Sequence, residues 1–209
     1  MVGKGLLMEC LENPNIESVL TINRQPGNIK NNKLKEILHS DFYNFSTLTE
    51  EFKGYNACFF CLGVSAAGLS EQEYHKITYG LTVNFAETLL KINPELTFCY
   101  VSGAGTDSTE KGRMMWARVK GKTENALLAM PFKASYMFRP GFIQPLKGIK
   151  SKTQIYNVIY ILFKPLYFAL KPFKGFVTNT ESLGKAMINV ALNGFHKKII
   201  ESKDINKLA

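Results

Sequence analysis

Apolar positions along the chain follow a strand-like pattern in some segments and a helix-like pattern in others, and the two alternate. Short apolar or β-branched runs predict strands over residues 18–23, 35–41, 56–63, 96–105, 134–141 and 197–202. Helical patterns lie between them, over residues 3–11, 48–52, 71–92, 113–129 and 182–192. Strands that alternate with helices indicate βαβ units, and therefore an α/β fold with a doubly wound, mostly parallel sheet and helices on both faces.

Two local signals support these elements. Ser70 followed by Glu73 forms a capping box at the start of the longest predicted helix. The continuous apolar run "NACFFCLG" is typical of a strand buried on both faces. Because ligands of such sheets bind beyond the carboxyl ends of the strands, the candidate binding positions are residues 23–24, 41–42, 62–63, 102–105 and 139–141.

One basic and aromatic segment, residues 145–175, interrupts the alternation, and we interpret it as an insertion within a single domain spanning 1–209. It is compatible with the wall of a pocket for a hydrophobic substrate. A second interpretation is peripheral membrane contact through residues 147–174, where lysines flank an apolar, aromatic centre. A third is a core-packed helix pair with a kink at Pro165.

Positive charge is concentrated in the second half of the chain. The formal net charge is +9; residues 1–110 hold 8 Lys or Arg against 13 Asp or Glu, and residues 111–209 hold 18 against 4. The basic charge of residues 111–209 favours an anionic partner, for example a phosphorylated cofactor or an acidic lipid surface. A solvated basic surface would have the same composition. No nucleic-acid-binding module accompanies the charge, so we expect no nucleic acid partner.

The four cysteines predict buried, reduced thiols. Cys58 and Cys61 have the C-x-x-C spacing, but on a strand they point to opposite faces, and no second pair completes a metal site, so we expect no metal. The chain shows neither a secretory signal nor an uninterrupted apolar stretch of about 18 residues. We therefore expect a cytoplasmic protein without a transmembrane helix.

The strand tips, taken in order, resemble the short-chain dehydrogenase/reductase superfamily, in particular its atypical and extended, epimerase-like branch. "MVGKG" is similar to the second half of the phosphate-binding turn G-x-x-G-x-x-G, with Gly3 as the last glycine. The two earlier glycines of the family's turn, and the strand that carries them in the family, have no counterpart in this sequence. The resemblance therefore implies a start that is late by about ten residues, and it predicts poor folding or weak cofactor binding for these 209 residues alone.

This resemblance also implies a nicotinamide cofactor. Arg24, after the second family strand, would pair with the 2′-phosphate of NADP, where an acidic residue would bind the ribose of NAD. Asp41 would accept from the adenine amino group, or else cap the next turn. The implied cofactor-binding residues are Gly3, Arg24, Asp41, Phe42, Leu62, Gly63, Lys120, Arg139, Pro140 and Gly141.

The implied catalytic residues are Ser102, Lys120, Trp116 and Thr78. In the family a serine polarises the carbonyl, and a Tyr-x-x-x-Lys pair on the next helix supplies the proton and holds the ribose. Here Ser102 and Lys120 match, but Trp116 replaces the tyrosine, and Thr78 takes the place of an asparagine. An indole N–H donates a hydrogen bond but does not titrate near neutral pH, so ordinary carbonyl reduction is in question.

Two functions follow from this resemblance. The first is an NADP-dependent (or NAD-dependent) oxidoreductase or epimerase-like enzyme that acts on a small, hydrophobic carbonyl or alcohol. The second is a non-catalytic NADP-binding regulatory or scaffold protein, at the membrane periphery if residues 147–174 contact lipid. Ser102 and Lys120 favour the enzyme, whereas Trp116 favours the scaffold.

Overall fold

The computed structural model describes residues 1–149 and 175–209, and its elements confirm the predicted α/β fold. The strands are β1 Val19–Asn23, β2 Leu34–Leu38, β3 Ala57–Phe60, β4 Thr97–Val101, β5 Ala134–Arg139, β6 Phe142–Gln144, β7 Val177–Asn179 and β8 Ile199–Glu201. The helices are α1 Val2–Glu12, α2 Glu71–His75, a π-helical turn Lys76–Gly80, α3 Leu81–Ile92, α4 Met115–Ala129, α5 Thr180–Asn193 and α6 Ser202–Leu208.

All strand pairs in the described residues are parallel. The main sheet has the order β3-β4-β5-β8, and β1-β2 and β6-β7 form two further two-stranded sheets. Parallel strands need crossover connections, and here most of these contain helices. The carboxyl ends of β3, β4 and β5 consequently meet at one edge, where ligands of such sheets bind.

The main sheet divides the core into two layers, as the side chains of its inner strand β4 show. Cys99 packs with α1, α5 and α6 on one face, whereas Phe98 and Tyr100 pack with α3 and α4 on the other. Cys58 and Cys61 likewise join opposite core clusters, which confirms the prediction that their side chains face different sides. Alternation of side chains along a strand is the physical reason.

The β1-β2 pair is not hydrogen-bonded to the main sheet. Leu20 and Ile22 of β1 nevertheless pack in the same apolar cluster as Cys58 and Phe60 of β3, so the two sheets share a core. No described strand is hydrogen-bonded to the free edge of β1 or of β3. The predicted missing strand would belong at this place, and its existence stays a prediction.

Some predicted elements differ from the structure. The single helix expected over 71–92 contains the π-helical turn, and the helix expected over 48–52 is a pair of short 3₁₀ turns, Ser46–Leu48 and Glu50–Phe52. The capping box of Ser70 and Glu73 is confirmed. Strands β6 and β7 and helix α6 were not predicted, because three-residue strands and a seven-residue helix carry too little periodicity to detect.

The predicted insertion lies almost wholly outside the described residues, and so do most of the residues suggested for membrane contact. Within residues 1–149 and 175–209, no helix combines the length and apolar character needed to cross a membrane.

Candidate functional site

A cavity of about 640 Å³ opens where β3, β4 and β5 end. Its wall is formed by Met1, Val2, Cys61, Leu62, Gly63, Val101, Ser102, Gly103, Ala104, Lys120, Pro140, Gly141, Phe142, Ile143 and Phe176. Six residues predicted for the site therefore meet here: Leu62, Gly63, Ser102, Lys120, Pro140 and Gly141. The parallel sheet brings them together although they are far apart in sequence.

Hydrogen bonds donated by backbone N–H groups position the turns that line the cavity. The Ser102 N–H donates to the Phe138 carbonyl at 2.8 Å, and the Ala104 N–H donates to the Pro140 carbonyl at 2.9 Å. The Gly141 N–H donates to the Ser202 Oγ at 2.8 Å. These bonds hold the turns after β4 and β5 in a fixed position relative to each other.

Glycines shape the cavity in two ways. A Cβ placed on Gly63 or Gly103 would meet no atom within 4 Å, so the backbone there borders open space that a ligand can approach. A Cβ on Gly141 would lie 2.3 Å from the Phe176 carbonyl oxygen, so this glycine is needed for the close approach of residue 176. Gly141 thus has a packing role in addition to lining the cavity.

The Ser102 hydroxyl belongs to a short chain of hydrogen bonds. The Thr106 Oγ1 donates to the Gly103 carbonyl at 2.8 Å and lies 2.9 Å from the Ser102 Oγ. Because Thr106 has one hydroxyl proton, this arrangement makes Ser102 the donor to Thr106. The lone pairs of the Ser102 Oγ are then not used within this chain of hydrogen bonds, and Ser102 lines the cavity.

Lys120 places a half-buried amine in the cavity wall. Its Nζ donates to the Ser102 carbonyl at 3.2 Å and lies 5.6 Å from the centroid of the Tyr100 ring. Burial lowers the pKa of Lys120 to about 8, and the carboxylate of Glu124 opposes part of this shift. Lys120 forms no ion pair among the described residues.

We expect the lowered pKa to be visible as a pH dependence of stability. Between about pH 8 and pH 10.4 the unfolded chain holds the Lys120 proton more tightly than the folded chain does, so the free energy of unfolding rises with pH in this window. Lys120→Met removes this contribution. Urea unfolding at several pH values should show the wild type gaining stability relative to Lys120→Met; a difference that is constant from pH 7 to pH 10.5 would contradict the assignment.

Arg139 lies in a buried ion pair behind the cavity. Its guanidinium donates to both carboxylate oxygens of Glu124, with Nε at 3.0 and 3.1 Å, and its Nη2 donates to the Ser108 Oγ at 2.6 Å. The Glu124 side chain is 0% exposed. Arg139 does not line the cavity. Sequence reasoning missed Glu124, whose only signal is weak: it is one of four acidic residues in a basic half.

Trp116 and Thr78 also lie outside the cavity wall. The Trp116 ring packs on Gly105, where an added Cβ would lie 3.4 Å from its Cη2. Thr78 is buried in the π-helical turn, and its Oγ1 has no hydrogen-bond partner among the described residues. The predicted four-residue catalytic set is therefore divided: Ser102 and Lys120 adjoin each other, and the other two do not join them in lining the cavity.

The residues predicted for the adenine end lie at the tips of β1 and β2. The Arg24 guanidinium carbon is 5.1 Å from the centroid of the Phe42 ring, an exposed cation–π contact. Asp41 accepts from the Tyr43 N–H at 2.9 Å, so its side chain stabilises the local turn. Gly3 lies in the first turn of α1, and a Cβ there would be 3.4 Å from the Cys61 Cβ.

The fold is Rossmann-like, with the cavity at the carboxyl ends of its parallel strands. The structure is similar to the enzyme WbmF of Bordetella bronchiseptica in complex with NAD⁺, with a TM-score of 0.66 and 13% identity, over 99% of this chain and 73% of that one. It is also similar to dTDP-glucose 4,6-dehydratase from Streptomyces venezuelae with NAD bound, with a TM-score of 0.66 and 11% identity, over 95% and 70% of the chains.

The sequence is similar to curated fungal proteins. Protein FMP52-1, mitochondrial, of Scheffersomyces stipitis is 24% identical over 100% of this chain and 94% of its own length. Protein FMP52, mitochondrial, of Debaryomyces hansenii is 28% identical over 91% of this chain and 83% of its own length. No protein-family model matches the chain.

The names of these relatives contradict the predicted cytoplasmic location. The prediction was wrong because it used the lack of a secretory signal, which says nothing about import into mitochondria. Mitochondrial targeting relies on other features, such as Arg- and Ser-rich amphipathic segments.

Proposed function

We propose that this protein binds a nicotinamide dinucleotide in the cavity and acts as an NADP-dependent oxidoreductase or epimerase-like enzyme. Its substrate would be a small, hydrophobic carbonyl or alcohol. The observation that carries the proposal is the meeting of Gly63, Ser102, Lys120 and Gly141 at the carboxyl ends of three parallel strands. The similar fold of two NAD-bound enzymes, one of them a dehydratase, supports it by analogy.

The residues of the cavity fit the reactive half of such a cofactor. A nicotinamide, when bound, supplies or accepts a hydride. Lys120 would hold ribose hydroxyls through its Nζ, and the open backbone at Gly63 would permit close approach. Helix α1 begins at the same wall, and the N–H groups of a helix N-terminus favour a pyrophosphate.

Arg24 supports NADP over NAD. The exposed guanidinium, seated over Phe42, would pair with a 2′-phosphate and present a flat surface for an adenine. Neither residue is in the cavity wall, so this half of the site would extend from the cavity to the tips of β1 and β2.

Ser102 would orient the oxygen of the substrate. Its hydroxyl proton is used by Thr106 in the present hydrogen-bond chain, so Ser102 would accept from an alcohol directly and would donate to a carbonyl only after its hydroxyl turns away from Thr106. The apolar side chains of Val101, Phe142 and Ile143 would exclude water from the reacting atoms.

The second candidate is a non-catalytic NADP-binding regulatory or scaffold protein. The packing of Trp116 on Gly105, away from the cavity wall, favours it, because the residue in the position of the usual acid neither titrates nor lines the cavity. For either function, we propose a mitochondrial location by analogy with the named relatives.

Titration of NADPH and NADH into the purified chain tests the proposal. We expect NADPH to bind more tightly than NADH. Arg24→Gln should weaken NADPH binding by about tenfold, or ~1.4 kcal/mol, and leave NADH binding unchanged, because a charged hydrogen bond to the 2′-phosphate is lost.

Lys203→Gln on α6 removes an exposed positive charge elsewhere and serves as the control. Equal weakening by both variants would indicate a general charge effect, and no binding of either cofactor would refute the proposal. Oxidation of NADPH with a panel of hydrophobic aldehydes and ketones then separates the two candidates, since binding without turnover favours the scaffold.

A further inference from the structure

We propose that the Lys120 amine is a carbonyl-reactive site, which condenses with small apolar aldehydes that enter the cavity to form a Schiff base. This activity needs no nicotinamide, but it uses the same cavity and the same lysine as the function proposed above. It assigns to Lys120 covalent chemistry in addition to binding.

The first support is the position of the amine. Lys120 belongs to the wall of a cavity of about 640 Å³, beside Val101, Phe142 and Ile143. An apolar aldehyde gains from burial against these side chains, and its carbonyl carbon then lies in the cavity that Lys120 lines.

The second support is the electrostatic environment of the amine. The carboxylate on the same helix, Glu124, raises the pKa of Lys120, but this effect is smaller than that of burial, and Glu124 also accepts two hydrogen bonds from the Arg139 Nε at 3.0 and 3.1 Å. The partner of the Lys120 Nζ is the Ser102 carbonyl, at 3.2 Å, and the Tyr100 ring lies beneath it. Cys61 also faces the cavity, and burial of its thiol raises its pKa to about 12, so no thiolate there stabilises an ammonium.

Burial accordingly lowers the pKa of Lys120 to about 8. At pH 8 about half of this side chain is the free amine, against less than about 1% of an ordinary lysine with a pKa of about 10.4. Desolvation in an apolar pocket is a known way to make a lysine nucleophilic.

The reaction balances without an oxidant. The nitrogen lone pair forms a bond to the carbonyl carbon, the carbonyl oxygen takes up a proton, and the nitrogen loses one, which gives a carbinolamine. The C–O bond then breaks, water leaves and a C=N bond forms. The Ser102 Oγ, in the wall of the same cavity, would accept a hydrogen bond from the carbinolamine hydroxyl.

Reductive trapping tests the proposal. The folded chain is incubated at pH 8 with benzaldehyde and sodium cyanoborohydride, whose hydride reduces the C=N bond to a stable secondary amine, and the adducts are located by peptide mass spectrometry. Lys122 is the internal control, because it is exposed on the same helix and its Nζ also lies over an aromatic ring, 5.1 Å from the Tyr79 centroid.

We expect Lys120 to react at least about tenfold faster than Lys122 in the folded chain. In guanidinium the preference should disappear, and Lys120→Arg should abolish the adduct at position 120 while Lys122 reacts as before. Equal rates in the folded chain would overturn the proposal. A preference that persists in guanidinium would overturn it as well, because the local sequence rather than the cavity would then cause it.

Discussion

Replacement of Gly121 by alanine is expected to destabilise the protein by at least about 3 kcal/mol. Gly121 lies in α4, and a Cβ there would be 1.7 Å from the Asp107 carbonyl oxygen and 2.6 Å from its carbonyl carbon. Both are backbone atoms, so a side-chain rotation cannot relieve the overlap. Urea unfolding of the variant measures the loss.

The Asp107 backbone cannot easily move away. Its N–H donates to the Ala117 carbonyl at 3.1 Å, and its carboxylate accepts from the Thr109 Oγ1 and the Gly112 N–H, each at 2.6 Å. The bond to Ala117 ties the loop after β4 to α4, and the two carboxylate bonds hold the loop in its own turn. Because this loop carries Ser102 and Gly103 toward the cavity, a shift would also disturb the site.

Gly80→Ala is the matched control. Gly80 is also in a helical segment, but a Cβ there would meet no atom within 4 Å. Alanine should therefore be neutral there, or stabilising by up to about 1 kcal/mol, since it loses less backbone entropy on folding than glycine. If both variants lost the same unfolding free energy, helix propensity rather than the Asp107 contact would explain the effect of Gly121→Ala.

Removal of the Glu124 carboxylate is expected to cost about 3–5 kcal/mol of unfolding free energy, because the Arg139 guanidinium loses its buried partner and keeps only the longer contact to Glu201, a half-exposed carboxylate 3.5 Å from its Nη1. Glu124→Gln tests the charge with little change of shape. The double variant Glu124→Leu with Arg139→Met should lose less than Glu124→Leu alone, since no buried charge is then left unpaired and the Glu201 side chain, 49% exposed, is solvated by water.

The exposed pair of Glu181 and Lys185 provides the comparison. Its side chains are 34% and 47% exposed, so Lys185→Gln should change stability by no more than about 0.5 kcal/mol. If Glu124→Gln lost no more unfolding free energy than Lys185→Gln, the ion pair of Glu124 and Arg139 would be accessible to water. Thermal and urea unfolding would both be measured, with circular dichroism confirming that the variants fold.

The predicted role of Arg139 illustrates what a motif can and cannot provide. The segment "RPG" lies at the end of a predicted strand. The sequence therefore predicted correctly that Pro140 and Gly141 lie at the edge of the sheet, where the strand ends. Whether Arg139 faces a ligand or the interior depends on Glu124, which is 15 positions away and has no local signature. The same holds for Trp116, whose neighbour Gly105 belongs to a different segment.

The sequence by itself determined the alternation of the longer strands and helices, the α/β class and the capping box at Ser70, because these depend on local periodicity and local hydrogen bonds. It also identified the strand tips that line the cavity. Only the tertiary structure decided which of those side chains meet: Ser102 adjoins Lys120, Arg139 turns to Glu124, and Trp116 packs on Gly105. Contacts between distant segments depend on the packing of helices against the sheet, and Gly121 acquires its importance only when α4 and the Asp107 loop touch.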